Sequence, residues 1–362
     1  MRIGLIIYGD LETMTGGFLY DRMMVNILRE QGDTVEVLSL PWLPYGPSLF
    51  LNASLSLIKR LKKGSFDLVL EDELVHPSFF ILNTVLRSLI KCPIIAVVHH
   101  LRSQEERPDW QNRFYGIVEK RFLRTVDGFI FNSRATLNTV IPWAKKNRPS
   151  VVAYPGRDRF GLTITEEELA SRVRRSGPLE LLFVGALIPR KGLHTLISAM
   201  ATLDPGIWHL TVAGDQNRDY RYKEAIRKQI AEAGIVDRVS LLGEVSDPHL
   251  AALYERSQVL IVPSSLEGFG ISYLEGMGFG LPAVASKVGG AMEIVSHGEN
   301  GFLVSSGDVR VLATYVLELT QDRDRLLKMS LAARQTFLVH PTWADSGRVC
   351  HDFLHHLGSL IK

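Results

Sequence analysis

With 362 residues the chain is long enough for two domains, each with its own core. Apolar residues make up 46% and charged residues 22%, and a net charge of +2 is far from the basic balance of a nucleic-acid binder, so nucleic acid is excluded as a partner. Two cysteines, Cys92 and Cys350, exclude a disulfide framework and fit a reducing compartment.

The chain opens on an apolar run, 3–8, which is too short for a signal peptide and reads as a first strand. No stretch approaches the ~20 apolar residues that span a bilayer, and a cytoplasmic location is expected. Gly16 and Gly17 follow, ahead of an apolar-periodic helix over 18–30. Glycines there admit close backbone approach, and the helix start favours an anion. Further strands are predicted at 34–38, 67–70, 94–98, 128–132 and 151–154. The intervening 41–63 holds an apolar helix-like run, 48–58, that ends in Lys59, Arg60, Lys62 and Lys63. Such a stretch can lie on an anionic membrane, peripheral at its inner face, or serve as a core helix with a solvated basic end. Glu71, Asp72 and Glu73 read as a loop after the third strand, too consecutive to converge on one ion. His99 and His100 end the strand 94–98, where a side chain faces a ligand rather than the core.

The first 160 residues carry 21 Lys and Arg against 16 Asp and Glu, and the remainder 20 against 23. A Glu/Arg-rich helix over 166–175 leads into a second array, with strands predicted at 179–184, 208–213, 238–242, 258–262, 283–285 and 302–304. Continuous apolar strands separated by helix-length segments argue for parallel sheets covered on both faces, and two such arrays make two Rossmann-like domains. Gly185 to Gly192 follows the first strand of this half, and its Arg190 and Lys191 suit a diphosphate. Between Pro263 and Ser286 two carboxylates, Glu267 and Glu275, surround a glycine-rich turn. Gly268 and Gly270 allow positive φ, and a helix beginning near Ile271 aims N–H groups and a positive dipole end at the turn. That turn suits phosphate, its carboxylates suit hydroxyls, and a nucleotide sugar carries both. Neither G-x-G-x-x-G nor G-x-x-x-x-G-K-[ST] occurs, which lowers the NAD-dependent oxidoreductase and P-loop readings. A closing amphipathic helix over 343–362 carries His351, His355 and His356, which read as a solvated face.

The ordered series Pro263-Ser264, Glu267 to Gly270, Glu275-Gly276, Gly280 to Pro282, Ser286, Gly289-Gly290, Glu293 and Gly298 to Gly301 resembles the family 4 retaining glycosyltransferases of the GT-B fold. The resemblance implies two Rossmann-like doubly wound parallel-sheet domains facing across a cleft. Residues 1–165 would bind the acceptor, 166–342 the nucleotide sugar, and 343–362 would cross back onto the first domain. It implies transfer of a sugar to an acceptor hydroxyl with retention, from a UDP-sugar by preference and a GDP-sugar otherwise, with no metal and no other cofactor. Glu267, His99 (with His100 as its fallback) and Lys191 would act at the reacting centre. Gly16, Gly17, Arg190, Lys191, Val245, Gly268, Phe269, Gly270, Ile271 and Glu275 would bind the donor, with Glu275 on the ribose hydroxyls and Val245 meeting the base through its main chain. One departure stands out: Ala186 occupies the place where many members carry a phosphate-binding Arg, which leaves Arg190 as substitute. The segment 154–160 resembles the family's hinge and is assigned no chemistry. The acceptor is left open among glycan, lipid and small molecule. An epimerase of the same fold and an inactive nucleotide-sugar-binding subunit are the alternatives.

Overall fold

A computed structural model describes residues 1–161 and 164–359. The chain divides into two units, Met1–Gly156 together with Pro341–Lys362, and Arg157–His340. The segment 157–165 thus belongs with the second unit, and the closing helix, Trp343–Ser359, packs along the helix Gly16–Glu30 of the first.

The first unit is built on one parallel sheet of six strands: β1 (Arg2–Tyr8), β2 (Thr34–Leu40), β3 (Leu68–Asp72), β4 (Ile94–Val98), β5 (Gly128–Phe131) and β6 (Ser150–Val152), in the order β2-β1-β3-β4-β5-β6. The second unit repeats the plan with β7 (Leu179–Val184), β8 (Trp208–Ala213), β9 (Val239–Gly243), β10 (Val259–Val262), β11 (Ala283–Ser286) and β12 (Gly301–Val304), in the order β12-β11-β10-β7-β8-β9. Among the described residues every strand pair is parallel. Helices on both faces explain the composition: β3, β4, β10 and β11 are buried along their whole length, whereas the edge strand β2 has exposed positions. Each Ile, Leu or Val hidden in this way contributes about 1.5–3 kcal/mol.

All twelve expected strands are present, within a few residues of their expected ends. In each sheet the chain runs outward in one direction, then returns to start on the other side of its first strand. That reversal lies between β1 and β3 in the first unit and between β7 and β10 in the second. Open α/β sheets bind ligands outside the carboxyl ends of the strands at such a switch point.

Three local expectations are corrected. The run 48–58 is not one helix: a short helix, Tyr45–Leu49, passes into a 3-10 turn, Phe50–Ala53, and a new helix, Leu55–Gly64, begins where the Ser54 hydroxyl accepts from Leu57 N–H. This second helix turns Leu57 and Leu61 into the core and leaves Leu55 exposed at its start. Glu71 and Asp72 are not loop residues but the end of β3, and they are buried together with Glu73. His351 and His355 do not form a merely solvated face. Both turn to the buried Asp33, with His355 Nε2 at 3.0 Å from its Oδ1.

Candidate active site

Three loops meet at the second unit's switch point. Gly192 takes φ +73°, and a Cβ on it would lie 2.1 Å from the Pro263 carbonyl oxygen. The loop after β7 is therefore pressed against the loop after β10, and only glycine fits. From the other side, a Cβ on Gly289 (φ +53°) would lie 1.8 Å from the Glu267 carbonyl oxygen, which accepts from Gly290 N–H at 3.0 Å. The stretch Pro263 to Gly270 is thus held by backbone packing on both sides.

The loop after β7 presents its cations through a 3-10 turn, Pro189–Lys191. Arg190 donates to the Leu266 carbonyl at 2.7 Å, and its own carbonyl accepts from Ser265 N–H at 2.8 Å. Lys191 Nζ donates to Glu267 Oε2 at 2.8 Å. Burial pushes the Lys191 ammonium below its ordinary value and Glu267 partly opposes this. Burial would raise Glu267, but Lys191 and Arg190 outweigh it and hold the carboxyl below the ordinary range. Glu267 therefore stays ionised, aimed by its cation.

Gly270 adopts φ +98° at the start of the helix Ile271–Gly278, with no side chain to cap it. A Cβ there would strike the Tyr273 ring at 2.4 Å, and Tyr273 in turn donates to the Val262 carbonyl at 2.6 Å. The turn Gly268-Phe269-Gly270-Ile271 is in this way fixed to the end of β10, with the helix's positive end at the switch point.

Glu275 lies one turn further along this helix, buried, and is clasped by residues that were not among the expected site residues. Arg159 donates to its Oε1 at 2.7 Å and the Tyr254 hydroxyl to its Oε2 at 2.9 Å. Arg159 also pairs with Asp247 at 2.5 Å and lies 4.9 Å from the centre of the Phe160 ring. Phe160, Tyr254 and Phe279 pack ring to ring behind it. Burial raises the Glu275 carboxyl despite Arg159, and the two carboxylates push the Arg159 guanidinium up against its own burial. The segment 154–160, assigned no chemistry from sequence, therefore supplies the partner of a site residue. Its Pro155-Gly156, Asp158 and Phe160 were the legible signals. Val245, half-buried, follows β9 just past Gly243, which takes φ +80°.

The first unit's switch point is built differently. Gly16 and Gly17 open the helix Gly16–Glu30, capped by the Thr15 hydroxyl on Phe18 N–H. A Cβ on Gly17 would lie 3.3 Å from His99 Cδ2, so the glycine and the histidine are in contact. His99 is buried, edge-on to Tyr20 at 5.2 Å, and its Nε2 lies 3.1 Å from Asp21 Oδ1 and 3.9 Å from Asp72 Oδ2. Burial, then the neighbouring Asp21, raises Asp72 well above the ordinary carboxylate range. His100 is paired elsewhere, with Glu105 at 3.0 Å. Asp21 was missed because an aspartate one turn into a helix usually faces water. The expected site residues thus fall into two groups, one in each unit.

Among the described residues, three groups could gather ligand atoms round an ion: Asp21, Asp72 and His99; Glu73, His76 and Glu119; and Asp33, His351 and His355. All three lie in the first unit.

Comparison with known proteins defines the class. In fold the chain is similar to sucrose-phosphate synthase from Thermosynechococcus elongatus (TM-score 0.84, 21% identity, 99% of each chain) and to HepE of Anabaena, solved in complex with UDP-glucose (TM-score 0.75, 22% identity, 99% and 100%). It shares this GT-B architecture also with WaaG, a glycosyltransferase involved in lipopolysaccharide biosynthesis (TM-score 0.74, 15% identity, 97% and 99%). In sequence, residues 24–159 match the family model described as Glycosyltransferase Family 4, and residues 164–336 match Glycosyl transferases group 1. The chain belongs to the family 4 glycosyltransferases of the GT-B fold. Among named relatives, it is 28% identical to a D-inositol 3-phosphate glycosyltransferase of Corynebacterium efficiens over 72% of this chain and 66% of that one. It is 31% identical to a GDP-mannose-dependent phosphatidylinositol monomannoside mannosyltransferase of Mycobacterium tuberculosis over 52% and 50%. The matched stretches thus span about half to two thirds of these relatives' lengths.

Proposed function

We propose that this chain moves a glycosyl group from a nucleotide-sugar donor to an acceptor hydroxyl with retention of anomeric configuration. The observation that carries this reading is the buried Lys191–Glu267 pair beside Arg190 and Gly270, at the switch point of a family 4 second unit. Cleaving the bond between the anomeric carbon and the diphosphate leaves negative charge on the leaving group. Lys191, Arg190 and the N–H groups at Gly268 to Ile271 stabilise that charge as it forms, without a metal ion. Glu267, kept ionised by Lys191, hydrogen-bonds the sugar near the reacting carbon, and His99 bonds a sugar hydroxyl. Neither has to act as a base: the acceptor oxygen bonds the anomeric carbon as the bond to the diphosphate breaks, and the hydroxyl proton passes to the departing diphosphate.

Glu275 accepts the two ribose hydroxyls. A carboxylate offers about four lone-pair positions; Arg159 and Tyr254 take one on each oxygen and leave one on each for a vicinal diol. Val245 meets the base through its main chain.

UDP-sugar is the preferred donor, a choice supported by the solved complex of HepE with UDP-glucose. GDP-sugar is the second reading, favoured by a relative whose name specifies GDP-mannose. The acceptor is a glycan, lipid or small molecule; the relatives' names include inositol 3-phosphate and a phosphatidylinositol mannoside.

The test is thermal unfolding with UDP, GDP, ADP and NAD, with and without a chelator. A ligand at 100 times its dissociation constant adds about 2.7 kcal/mol. Stabilisation by UDP or GDP that survives the chelator and disappears in Glu275→Ala supports the reading. Stabilisation by NAD alone, or by none of the four, sinks it. Once a donor is found, the anomeric proton coupling of the product decides retention.

A further inference from the structure

The helix Asp109–Leu123 presents two unlike faces. Tyr115, Val118, Glu119, Phe122 and Leu123 are buried in the first unit. The opposite face holds Trp110, Phe114 and Ile117, with Trp110 and Ile117 each 68% exposed and Phe114 43%. These three recur at the helical interval, so they share one side. Arg113, Lys120 and Arg121 lie on that side too, and Arg124 follows at its end, all exposed. Beyond Asp109 in the first turn, that side carries no carboxylate, because Glu119 points inward.

A buried ring contact ties this helix to a neighbouring segment that also exposes a large side chain. Tyr45, in the short helix Tyr45–Leu49, stacks on Tyr115 at 3.7 Å and lies edge-on to Phe114 at 6.0 Å. Phe50, 82% exposed, follows directly on that helix. Elsewhere in the first unit the helix Leu55–Gly64 exposes Lys59, Arg60, Lys62 and Lys63, with Leu55 71% exposed at its start. Large side chains left in water beside several cations, with few acids between them, match the chemistry of an anionic bilayer surface. Aromatic and aliphatic groups enter the headgroup boundary while Lys and Arg meet lipid phosphates. A protein partner would have to offer a matching acidic rim and apolar pocket, whereas a bilayer offers both at once.

We infer that the exposed face of the helix Asp109–Leu123, centred on Trp110, Phe114 and Ile117, docks this chain onto membranes rich in anionic lipid. Docking is independent of the donor site, so vesicle binding and nucleotide binding can each succeed where the other fails.

The full chain is sedimented with vesicles of phosphatidylglycerol and phosphatidylcholine, and with vesicles of phosphatidylcholine alone, at low and high salt. The expected result is binding to the mixed vesicles only, weakened by salt. Trp110→Ala/Phe114→Ala/Ile117→Ala, which removes exposed side chains only, lowers the bound fraction by at least about tenfold. Lys120→Glu/Arg121→Glu lowers it comparably and weakens the salt dependence. Thermal unfolding of both variants is unchanged, which separates lost docking from lost folding. Absence of binding at low salt overturns the inference, as does binding that the triple variant retains. A dimer in solution that the triple variant disperses, with no vesicle binding, assigns the face to a second copy of the chain and also overturns it.

Discussion

The two switch points of this molecule have the same topology and opposite chemistry. Between β7 and β10 the loops bring Arg190 and Lys191 to a glycine turn, and the one carboxylate among them is kept ionised. Between β1 and β3 the corresponding region is acidic and dry, with Glu71, Asp72 and Glu73 in or next to β3 and Asp21 beside His99. There burial pushes Glu71 and Glu73 up to about 8 and Glu119 to about 7, while it drives His76 down to about 4. Topology decides where a ligand can approach, and the side chains there decide which charge is welcome. The second unit is made for an anion. The first raises its buried Glu71, Asp72 and Glu73 carboxyls toward the protonated form.

The sharpest way to break this contrast is to remove the cation. Lys191→Met leaves Glu267 buried without its main partner and, in the proposed reaction, takes a preorganised charge from the leaving diphosphate. Transfer should fall by about 10²–10³-fold, the scale of losing one such donor, read as kcat/KM. The double variant Lys191→Met/Glu267→Gln should recover stability but not turnover. Full recovery of turnover would show that Lys191 serves the fold alone. Next in size is Gly289→Ala. Its Cβ would sit 1.8 Å from the Glu267 carbonyl oxygen on a backbone of φ +53°, so the turn must shift. A loss of about 1–3 kcal/mol in denaturant unfolding is expected, together with loss of UDP-induced stabilisation.

How much of this was legible follows from where the constraint lies. The strands were readable because burial on two faces demands unbroken apolar runs, as at Ile94–Val98, Leu179–Val184 and Trp208–Ala213, whose observed bounds equal the expected ones. Lys191, Glu267 and Gly270 were readable because their spacing is local, all within loops directly following a strand. Arg159 was not, because its partner Glu275 lies 116 positions away and an arginine in a connecting segment looks solvated. Asp33, which pairs with His351 and His355 from more than three hundred positions earlier, is the same case. Ser54 was passed over for another reason: a single capping hydroxyl divides an apolar stretch whose periodicity looks continuous.

The first unit's dry carboxyls give a third prediction, in the opposite sense to ordinary acid denaturation. Glu71, Glu73 and Glu119 hold protons in the folded chain that the unfolded chain, near its ordinary carboxylate values, has already released. Their stabilisation is complete below about pH 4.5 and is lost as pH rises toward 7–8. His76, lowered to about 4, works against this only up to its ordinary value, since there the unfolded chain binds the extra proton. Above about pH 6.5 the carboxyls act alone. Stability should then fall by about 1 kcal/mol per pH unit for each carboxyl that stays protonated. Melting curves between neutral and mildly alkaline pH test this, and Glu73→Gln should flatten the slope. An unchanged slope would mean that Glu73 is ionised in the folded chain.

The smallest effect is expected at Gly17, and it measures how far the two switch points differ in tightness. Gly289 is trapped by backbone at positive φ, whereas Gly17 has ordinary helical geometry and meets only a ring edge, with a Cβ 3.3 Å from His99 Cδ2. A ring can yield a few tenths of an ångström where a carbonyl cannot. Alanine also suits the first turn of a helix better than glycine, by about 0.5–1 kcal/mol. Gly17→Ala should therefore melt at or slightly above the parent, while turnover falls a few-fold because His99 has moved. If its melting temperature drops as far as that of Gly289→Ala, the turn after β1 is as tightly packed as the turn after β10. If turnover is untouched, the position of the His99 ring does not govern transfer, and the chemistry resides in the second unit alone.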